Sequence, residues 1–309
     1  MSPLEQELRS IIRDPGRIHE NEPLSRHTTF RIGGPADFLI EVTDRRELSG
    51  VLILAQQSSQ PVHLLGRGSN LLVSDDGVRG FVLLLGGEFD RFEVDGTRVR
   101  AGGGYDLPKL AMKVGKLGLG GIEFACAIPG TVGAGLMINA GAHGGDMSQV
   151  VSSATVTWPD GGEQTFTPQE IGLSYRTSRL QSTSAIVVEV VMDLHHDDPT
   201  GIAERMQHHL ERRRSTQPLN LPNAGSIFKN PPGEKPAGWL IEQTGLKGLT
   251  EGGAQVSTVH ANFMVNLGGA TAKDVLTLMQ QVRARVLERF GVRLEPEVRI
   301  WGENPHFTA

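Results

Sequence analysis

The sequence predicts an α+β protein built from more than one compact unit, and three observations carry the prediction. Its 309 residues exceed the usual reach of a single hydrophobic core. Short apolar runs bounded by Gly, Asp and Pro dominate as far as about residue 194, whereas helical patterns gather towards the end of the chain. Glycine is over-represented: 39 residues against roughly 7% in average proteins. Thirteen of these glycines fall between positions 101 and 145, among Leu, Ile, Val and Met. That mixture predicts backbone that bends sharply or approaches a ligand closely, not a flexible linker.

The elements follow in order. Residues 30–73 read as strand, helix, strand. Asp44 followed by Glu47 resembles a capping box, and Leu48, Val51, Leu52 and Ala55 then share a helical face. The run Val62 to Leu65 ends in Gly66-Arg67-Gly68-Ser69-Asn70. Leu71-Leu72-Val73, a turn at Asp75-Asp76-Gly77 and the run Phe81 to Leu85 come next. Residues 92–101 predict a hairpin around Asp95-Gly96, and Asp106 caps a helix through Leu107, Leu110, Ala111 and Val114. Ala154 to Trp158 and Ile186 to Met192 predict strands, with a turn at Asp160-Gly161-Gly162. The tract His195 to Gly201 is expected to be a domain boundary, followed by a helix over 202–214. Thr271 caps a final amphipathic helix with Val275, Leu278, Met279, Val282, Val286 and Phe290 on one side, stopped by Gly291.

Composition narrows the function classes. A net charge of −5 gives no reason to expect nucleic acid or an anionic membrane as partner. Arg212-Arg213-Arg214 is a local basic run that suits a solvated helix face for at least two of its members. One cysteine, Cys126, excludes an intramolecular disulfide and a cysteine zinc site, and its apolar neighbours predict a small buried side chain. Glu5, Glu7 and Arg9 leave no apolar signal-peptide core, and no stretch approaches the ~20 apolar residues that span a bilayer. A cytoplasmic protein with no membrane partner is the resulting expectation, and a monomer is expected beside it. His195-His196-Asp197-Asp198 and His208-His209 hold metal-ligand types, but adjacent side chains diverge, so no catalytic metal is expected and the first cluster reads as a solvated inter-domain link.

Two glycine loops carry the ligand argument. Gly66 to Asn70 fails the dinucleotide fingerprint, because Leu71 stands where a third glycine belongs and a strand follows in place of a helix. Successive backbone N–H groups and the Ser69 hydroxyl nevertheless suit an anion. Ile128-Pro129-Gly130-Thr131-Val132-Gly133-Ala134-Gly135, continuing to Asn139-Ala140-Gly141-Ala142, suits a second close approach. Together they favour one large phosphate-bearing ligand without identifying it.

A longer series gives the resemblance. His27-Thr28-Thr29-Phe30, Gly33-Gly34-Pro35-Ala36-Asp37, the two glycine loops, Tyr175-Arg176-Thr177-Ser178, Asn223-Ala224-Gly225-Ser226-Ile227-Phe228-Lys229-Asn230-Pro231 and Glu295-Pro296-Glu297-Val298-Arg299 follow one another in this order. In that order they resemble the UDP-N-acetylenolpyruvoylglucosamine reductases, over nearly the whole chain. Each motif alone is weak, but the ordered set is specific. The chain resembles the shorter branch of the family, lacking the inserted segment with a substrate-closing tyrosine after Tyr175-Arg176.

The resemblance implies a vanillyl-alcohol-oxidase-like (PCMH-type) FAD-binding domain plus a smaller α/β substrate-binding domain. Residues 1–29 would form an N-terminal segment, 30–196 the FAD domain and 205–290 the substrate domain. Residues 291–309 would return to the FAD domain as a strand. Cofactor contacts are expected from Gly66, Arg67, Gly68, Ser69, Asn70, Gly102, Ile128, Pro129, Gly130, Thr131, Gly133, Asn139 and Gly141. The implied reaction reduces UDP-N-acetylglucosamine enolpyruvate to UDP-N-acetylmuramate, with NADPH as co-substrate. Hydride reaches C3 of the enolpyruvyl group from the flavin, and Ser226 protonates C2. Arg176 and Glu297 match the positions that steady the developing charge, an arginine fork being suited to a planar carboxylate. Glu297 beside that carboxylate must be protonated or share a proton, since two carboxylates repel. Lys229 is the nearest cation in sequence to support Ser226. Tyr175, Gln217, Lys229, Asn230, Lys247 and Asn262 are the expected substrate contacts. Two other readings stand beside this one: an FAD-linked oxidase of the same cofactor fold, and a non-catalytic UDP-sugar-binding regulator.

Overall fold

The computed structural model describes residues 2–233 and 235–303; Met1, Glu234 and the last six residues of the expected C-terminal segment lie outside the described residues. Its α-helices are α1 (Pro3–Ile11), α2 (Arg45–Gln57), α3 (Leu107–Lys116), α4 (Val132–Met137), α5 (Pro168–Ile171), α6 (Pro199–Thr216), α7 (Ala237–Gln243) and α8 (Ala272–Phe290). The chain divides into two units. Unit 1 takes the segment up to Glu20, then Phe38–Gly66 and Gly80–Arg213; unit 2 takes Asn21–Asp37, Arg67–Arg79 and the chain from Arg214 onward.

Unit 1 is organised around the strand Ile186–Asp193, which lies between Val151–Thr157 and Arg98–Gly102 in a five-stranded antiparallel sheet. Its near-continuous apolar run has a physical reason. Val187, Val190 and Met192 enter one core with α3 and the segment 122–136, whereas Ile186 and Val188 enter a second core. A strand buried on both faces has no polar alternation to show. The second core holds α2 through Leu48, Val51, Leu52 and Ala55, the face the sequence predicts. Asp44 caps α2 by accepting from the Glu47 N–H at 2.8 Å. The reciprocal half of the predicted capping box is missing. Glu47 instead accepts from Thr43 N–H and from both terminal nitrogens of Arg17, and Arg17 holds the Glu47 carboxyl below the usual carboxylate range.

Unit 2 carries a four-stranded sheet in the order Asn223–Ser226, Phe263–Asn266, Ala254–Val256, Thr250–Glu251. The long helix α8 covers its core with the predicted face, closed by a Thr271–Asp274 capping box and by Gly291 in the left-handed conformation. Asp75 adds a second cap, accepting from the Ala272 and Lys273 N–H groups at 2.7 and 3.1 Å. A separate pair of strands, Arg299–Trp301 and Leu71–Val73, runs parallel within this same unit.

The two units do not coincide with the expected domain bounds. Phe30, Ile32 and Leu72 are buried in the core of unit 2, so the segments 21–37 and 67–79 leave the contiguous 30–196 domain that the sequence predicts. The C-terminal strand accordingly finds its partner inside unit 2. Ile202 and Met206 of α6 pack in the first core of unit 1, and that unit runs to Arg213. The expected inter-domain link at 195–198 is also inside unit 1: His195 and His196 pair with Gly120 and Leu119, and Asp197 bonds Arg205.

Candidate active site

In unit 2 the Ser226 segment is built around a bulge. Asn223 pairs with Val265 and Ser226 with Phe263, with one irregularity between them where Gly225 takes φ +75°. Asn223 holds that bulge by donating to the Pro218 and Leu221 carbonyls and accepting from Gly225 N–H at 3.0 Å. Ile227 and Phe228 then anchor in the core, leaving Ser226 half-buried between the anchor and the bulge. Among the described residues no group bonds the Ser226 hydroxyl, so it retains both donor and acceptor capacity.

Glu297 reaches this segment through the backbone. Its N–H donates to the Ile227 carbonyl at 2.8 Å, and Lys229 N–H donates to the Glu295 carbonyl at 2.9 Å. Asn70, in the first glycine loop, donates from Nδ2 to the Glu297 carbonyl at 3.1 Å and accepts from Arg299 N–H at 3.0 Å. On the other side of that loop, the Thr29 hydroxyl bonds the Asn223 carbonyl at 2.7 Å while Thr29 N–H donates to the Gly68 carbonyl. The loop bearing Arg67 to Asn70, the Ser226 strand and the Glu297 segment are thus joined by direct hydrogen bonds. Gly68 is required here: it adopts φ +59°, and an added Cβ would meet the His27 carbonyl oxygen at 2.3 Å.

In unit 1 the second glycine loop lies against Gly66. A Cβ on Gly66 would lie 3.2 Å from Thr131 Oγ1. Gly130 has open space where its Cβ would be, and Thr131 caps α4. Among the described residues the N–H groups of Gly66, Gly130 and Thr131 find no acceptor, a set within unit 1 suited to an anionic group such as a phosphate. Gly133 differs from expectation. Its N–H donates to the Gly103 carbonyl at 2.9 Å, and an added Cβ would press on Gly103 and Val187 backbone, so its close approach is to a neighbouring strand. Gly102 and Gly141 are likewise pressed against protein, by the Phe89 carbonyl and by Asp146. Ile128 and Pro129 line the loop, the former bonded through its N–H to Ala125.

Tyr175 and Arg176 form the tip of a tight turn closed by two bonds, Ser174 N–H to Thr177 carbonyl at 3.0 Å and Thr177 N–H to Ser174 carbonyl at 3.1 Å. Arg176 has φ +55°, unusual for a residue with a Cβ and typical of a constrained position. Its guanidinium stacks over the exposed Tyr175 ring at 5.5 Å.

The expected substrate contacts separate into kinds. Asn262 is buried and grips Phe228 at both ends, accepting from its N–H at 3.0 Å and donating to its carbonyl at 2.8 Å, so it supports the Ser226 segment from behind. Asn230 accepts from Ala237 N–H at the start of α7, and Lys247 pairs with Glu242. The half-exposed Lys229 ammonium is paired with Glu295 at 3.6 Å. Gln217 accepts through its carbonyl from Leu219 N–H in the loop before Asn223. Of the basic run, Arg212 and Arg214 are exposed, whereas Arg213 turns inward to donate to the Ala127 carbonyl beside the second glycine loop. Cys126 is buried as expected, and burial pushes its thiol up to about 11. Asn223, Thr29 and Arg213 were missed as site-building residues. The first two stand inside quoted motifs, but their partners are distant in sequence.

Known proteins give the family. Residues 217–301 match the model of the UDP-N-acetylenolpyruvoylglucosamine reductase C-terminal domain, and residues 36–167 match an FAD binding domain. A Symbiobacterium thermophilum protein named UDP-N-acetylenolpyruvoylglucosamine reductase 2 is 65% identical over 307 residues, 99% of each chain. The chain belongs to the UDP-N-acetylenolpyruvoylglucosamine reductase family. The Bacillus subtilis reductase is 43% identical over 300 residues, covering 97% of this chain and 98% of that one. The crystal structure of the Thermus caldophilus reductase superposes with a TM-score of 0.80 at 38% identity, over 92% of this chain and 98% of that one. The α+β architecture with an FAD-binding domain is that of the family. The C-terminal family match starts at 217 and includes residues 291–301, which the sequence reading sets apart. Among the described residues no helix is long and apolar enough to cross a membrane, and no cluster of three or more metal-ligating side chains is found.

Proposed function

We propose that this chain catalyses the reaction its family is named for, the reduction of UDP-N-acetylglucosamine enolpyruvate to UDP-N-acetylmuramate in peptidoglycan precursor synthesis, with FAD bound and NADPH as co-substrate. The observation that carries the proposal is the hydrogen-bonded convergence of the first glycine loop, Ser226 and the Glu297 segment in unit 2. A module kept for binding alone needs no proton donor, whereas the Ser226 hydroxyl is unengaged among the described residues on a strand bonded through its backbone to the Glu297 segment. FAD fits the donor set of unit 1: acceptor-free N–H groups at Gly66, Gly130 and Thr131 would hold its pyrophosphate, and Arg67 and Ser69 follow Gly66 in the chain. When bound, FAD supplies the chemistry of hydride acceptance from NADPH and hydride delivery to C3 of the enolpyruvyl group.

The side chains perform the remaining steps. Hydride at C3 breaks the carbon–carbon π bond and leaves its electron pair on C2, from where charge spreads into the substrate carboxylate. Arg176 holds that carboxylate with its planar fork, and Glu297, protonated or sharing a proton, donates a hydrogen bond to the same group, so the interactions tighten as charge grows. Ser226 delivers a proton to C2 from one face, which sets the configuration of the lactyl ether. Tyr175, Gln217, Asn230 and Lys247 are assigned to substrate contact from the same family reading, and the protein acts as a cytoplasmic monomer on small-molecule substrates.

The test is anaerobic and follows flavin absorbance. Addition of NADPH bleaches the protein, and addition of the enolpyruvyl sugar nucleotide restores the colour. Recovery only on admission of oxygen would replace this reading with an oxidase, and a protein that takes up no FAD would replace it with a binding module.

A further inference from the structure

We propose that Asn139 is a positioning residue for Arg176, holding the turn that carries the arginine to the end of the helix that begins in the second glycine loop. The proposal rests on the reading of Arg176 as the group that holds the substrate carboxylate.

Asn139 lies two residues past the end of α4, is 2% exposed and takes φ +44°. Both ends of its amide are engaged. Ser148 N–H donates to Oδ1 at 3.0 Å, and Nδ2 donates to the Ser174 carbonyl at 3.1 Å. Because Ser148 contributes an N–H, the facing atom must be the oxygen, which leaves the NH2 for Ser174 and settles the amide orientation chemically. Ser174 opens the Tyr175–Arg176 turn. Its other flank is held from the same stretch of chain: the Ser178 hydroxyl donates to the Met137 carbonyl at 2.7 Å. Gln181 Nε2 adds a bond to the Arg176 carbonyl at 3.2 Å. Residues 137 and 139 therefore grip both sides of a turn whose tip residue has a positive φ, while Thr131 caps the same helix six residues upstream.

A backbone explanation for Asn139 is separable from this one. Asparagine tolerates the left-handed conformation, but glycine meets that requirement at least as well and makes neither side-chain bond. Aspartate keeps the acceptor for Ser148 but sets a carboxylate oxygen against the Ser174 carbonyl. Only the amide satisfies both neighbours at once, so the side chain is selected by the turn it holds.

The experiment compares Asn139→Gly, Asn139→Asp, Ser178→Ala, Ser178→Thr and Arg176→Ala in the FAD-loaded enzyme, with the two half-reactions measured separately. Asn139→Gly is expected to slow reoxidation by the enolpyruvyl substrate about 10- to 100-fold, the scale of a small misplacement of a binding group, and to affect reoxidation more than it affects FAD content or reduction by NADPH, both measured alongside. Asn139→Asp should follow it, Ser178→Ala should show a smaller loss, and Ser178→Thr, which keeps the hydroxyl, should restore the parent rate. Hydrogen exchange gives a readout apart from activity: the Ser174 and Thr177 amides should exchange faster in Asn139→Gly. Parent-like reoxidation and exchange in Asn139→Gly, with Arg176→Ala impaired, would overturn the positioning role alone. Loss of FAD from Asn139→Gly would make the residue a cofactor support and overturn it too. Unimpaired reoxidation in Arg176→Ala would remove the reading of Arg176, and this inference with it.

Discussion

The Ser226 segment and the Arg176 turn are assigned to the same reaction, yet they are held in opposite ways. Ser226 is followed by Ile227 and Phe228, both almost fully buried, and Phe228 is gripped at its N–H and its carbonyl by one buried amide, Asn262. Further bonds reach the segment from Thr29, Glu297 and Glu295. Arg176 sits instead at the tip of a two-residue turn with an unfavourable φ, beside a tyrosine that is 60% exposed. Its supports are single bonds from Asn139, Ser178 and Gln181. The difference suits the two tasks. A proton donor must meet one carbon from one face and gains from a core-anchored backbone, whereas a charge-binding fork on a long side chain tolerates a lighter mount.

The largest effect that sharpens this contrast is chemical. Ser226→Ala is expected to slow reoxidation of the reduced flavin by the enolpyruvyl substrate about 10²- to 10⁴-fold, the usual range for loss of a general acid. Bleaching by NADPH should stay at the parent rate, and equal loss in both half-reactions would deny Ser226 its role. Next comes Asn262→Ala, which strips the buried Phe228 backbone of two partners and should cost about 2–4 kcal/mol in urea unfolding. A loss no larger than that of Asn139→Gly would break the comparison, since it would mean that the two mounts are equally light. The smallest effect is expected from Thr29→Val. Removing one bond to Asn223 from a segment with several others should cost about 0.5–1.5 kcal/mol. Turnover should hardly change, and a large activity loss would show that the anchoring is not redundant.

Much of this was legible in the linear chain. Helix starts at Asp44, Asp106 and Thr271, the stop at Gly291 and the hairpin at Asp95-Gly96 are local matters, in which a capping oxygen or a positive φ is satisfied within a few residues. The glycine loops and the Ser226 motif stood out because unusual backbone demands small residues at fixed spacing. Residue type alone did not reveal use. The pairing of Lys229 with Glu295, the grip of Asn262 on Phe228 and the packing of Gly133 on Gly103 depend on partners that residue type does not name.

By itself, then, the sequence determined the α+β class, the individual elements and the ordered motifs that mark the family, because these depend on local propensity and on residue identity. Tertiary structure alone decided that the segments 21–37 and 67–79 join the core of unit 2, that the C-terminal strand pairs with Leu71–Val73 there, and that Asn139 serves Arg176. Those outcomes depend on which distant apolar surfaces are buried together and on which buried amide lies within reach of a carbonyl 35 residues away.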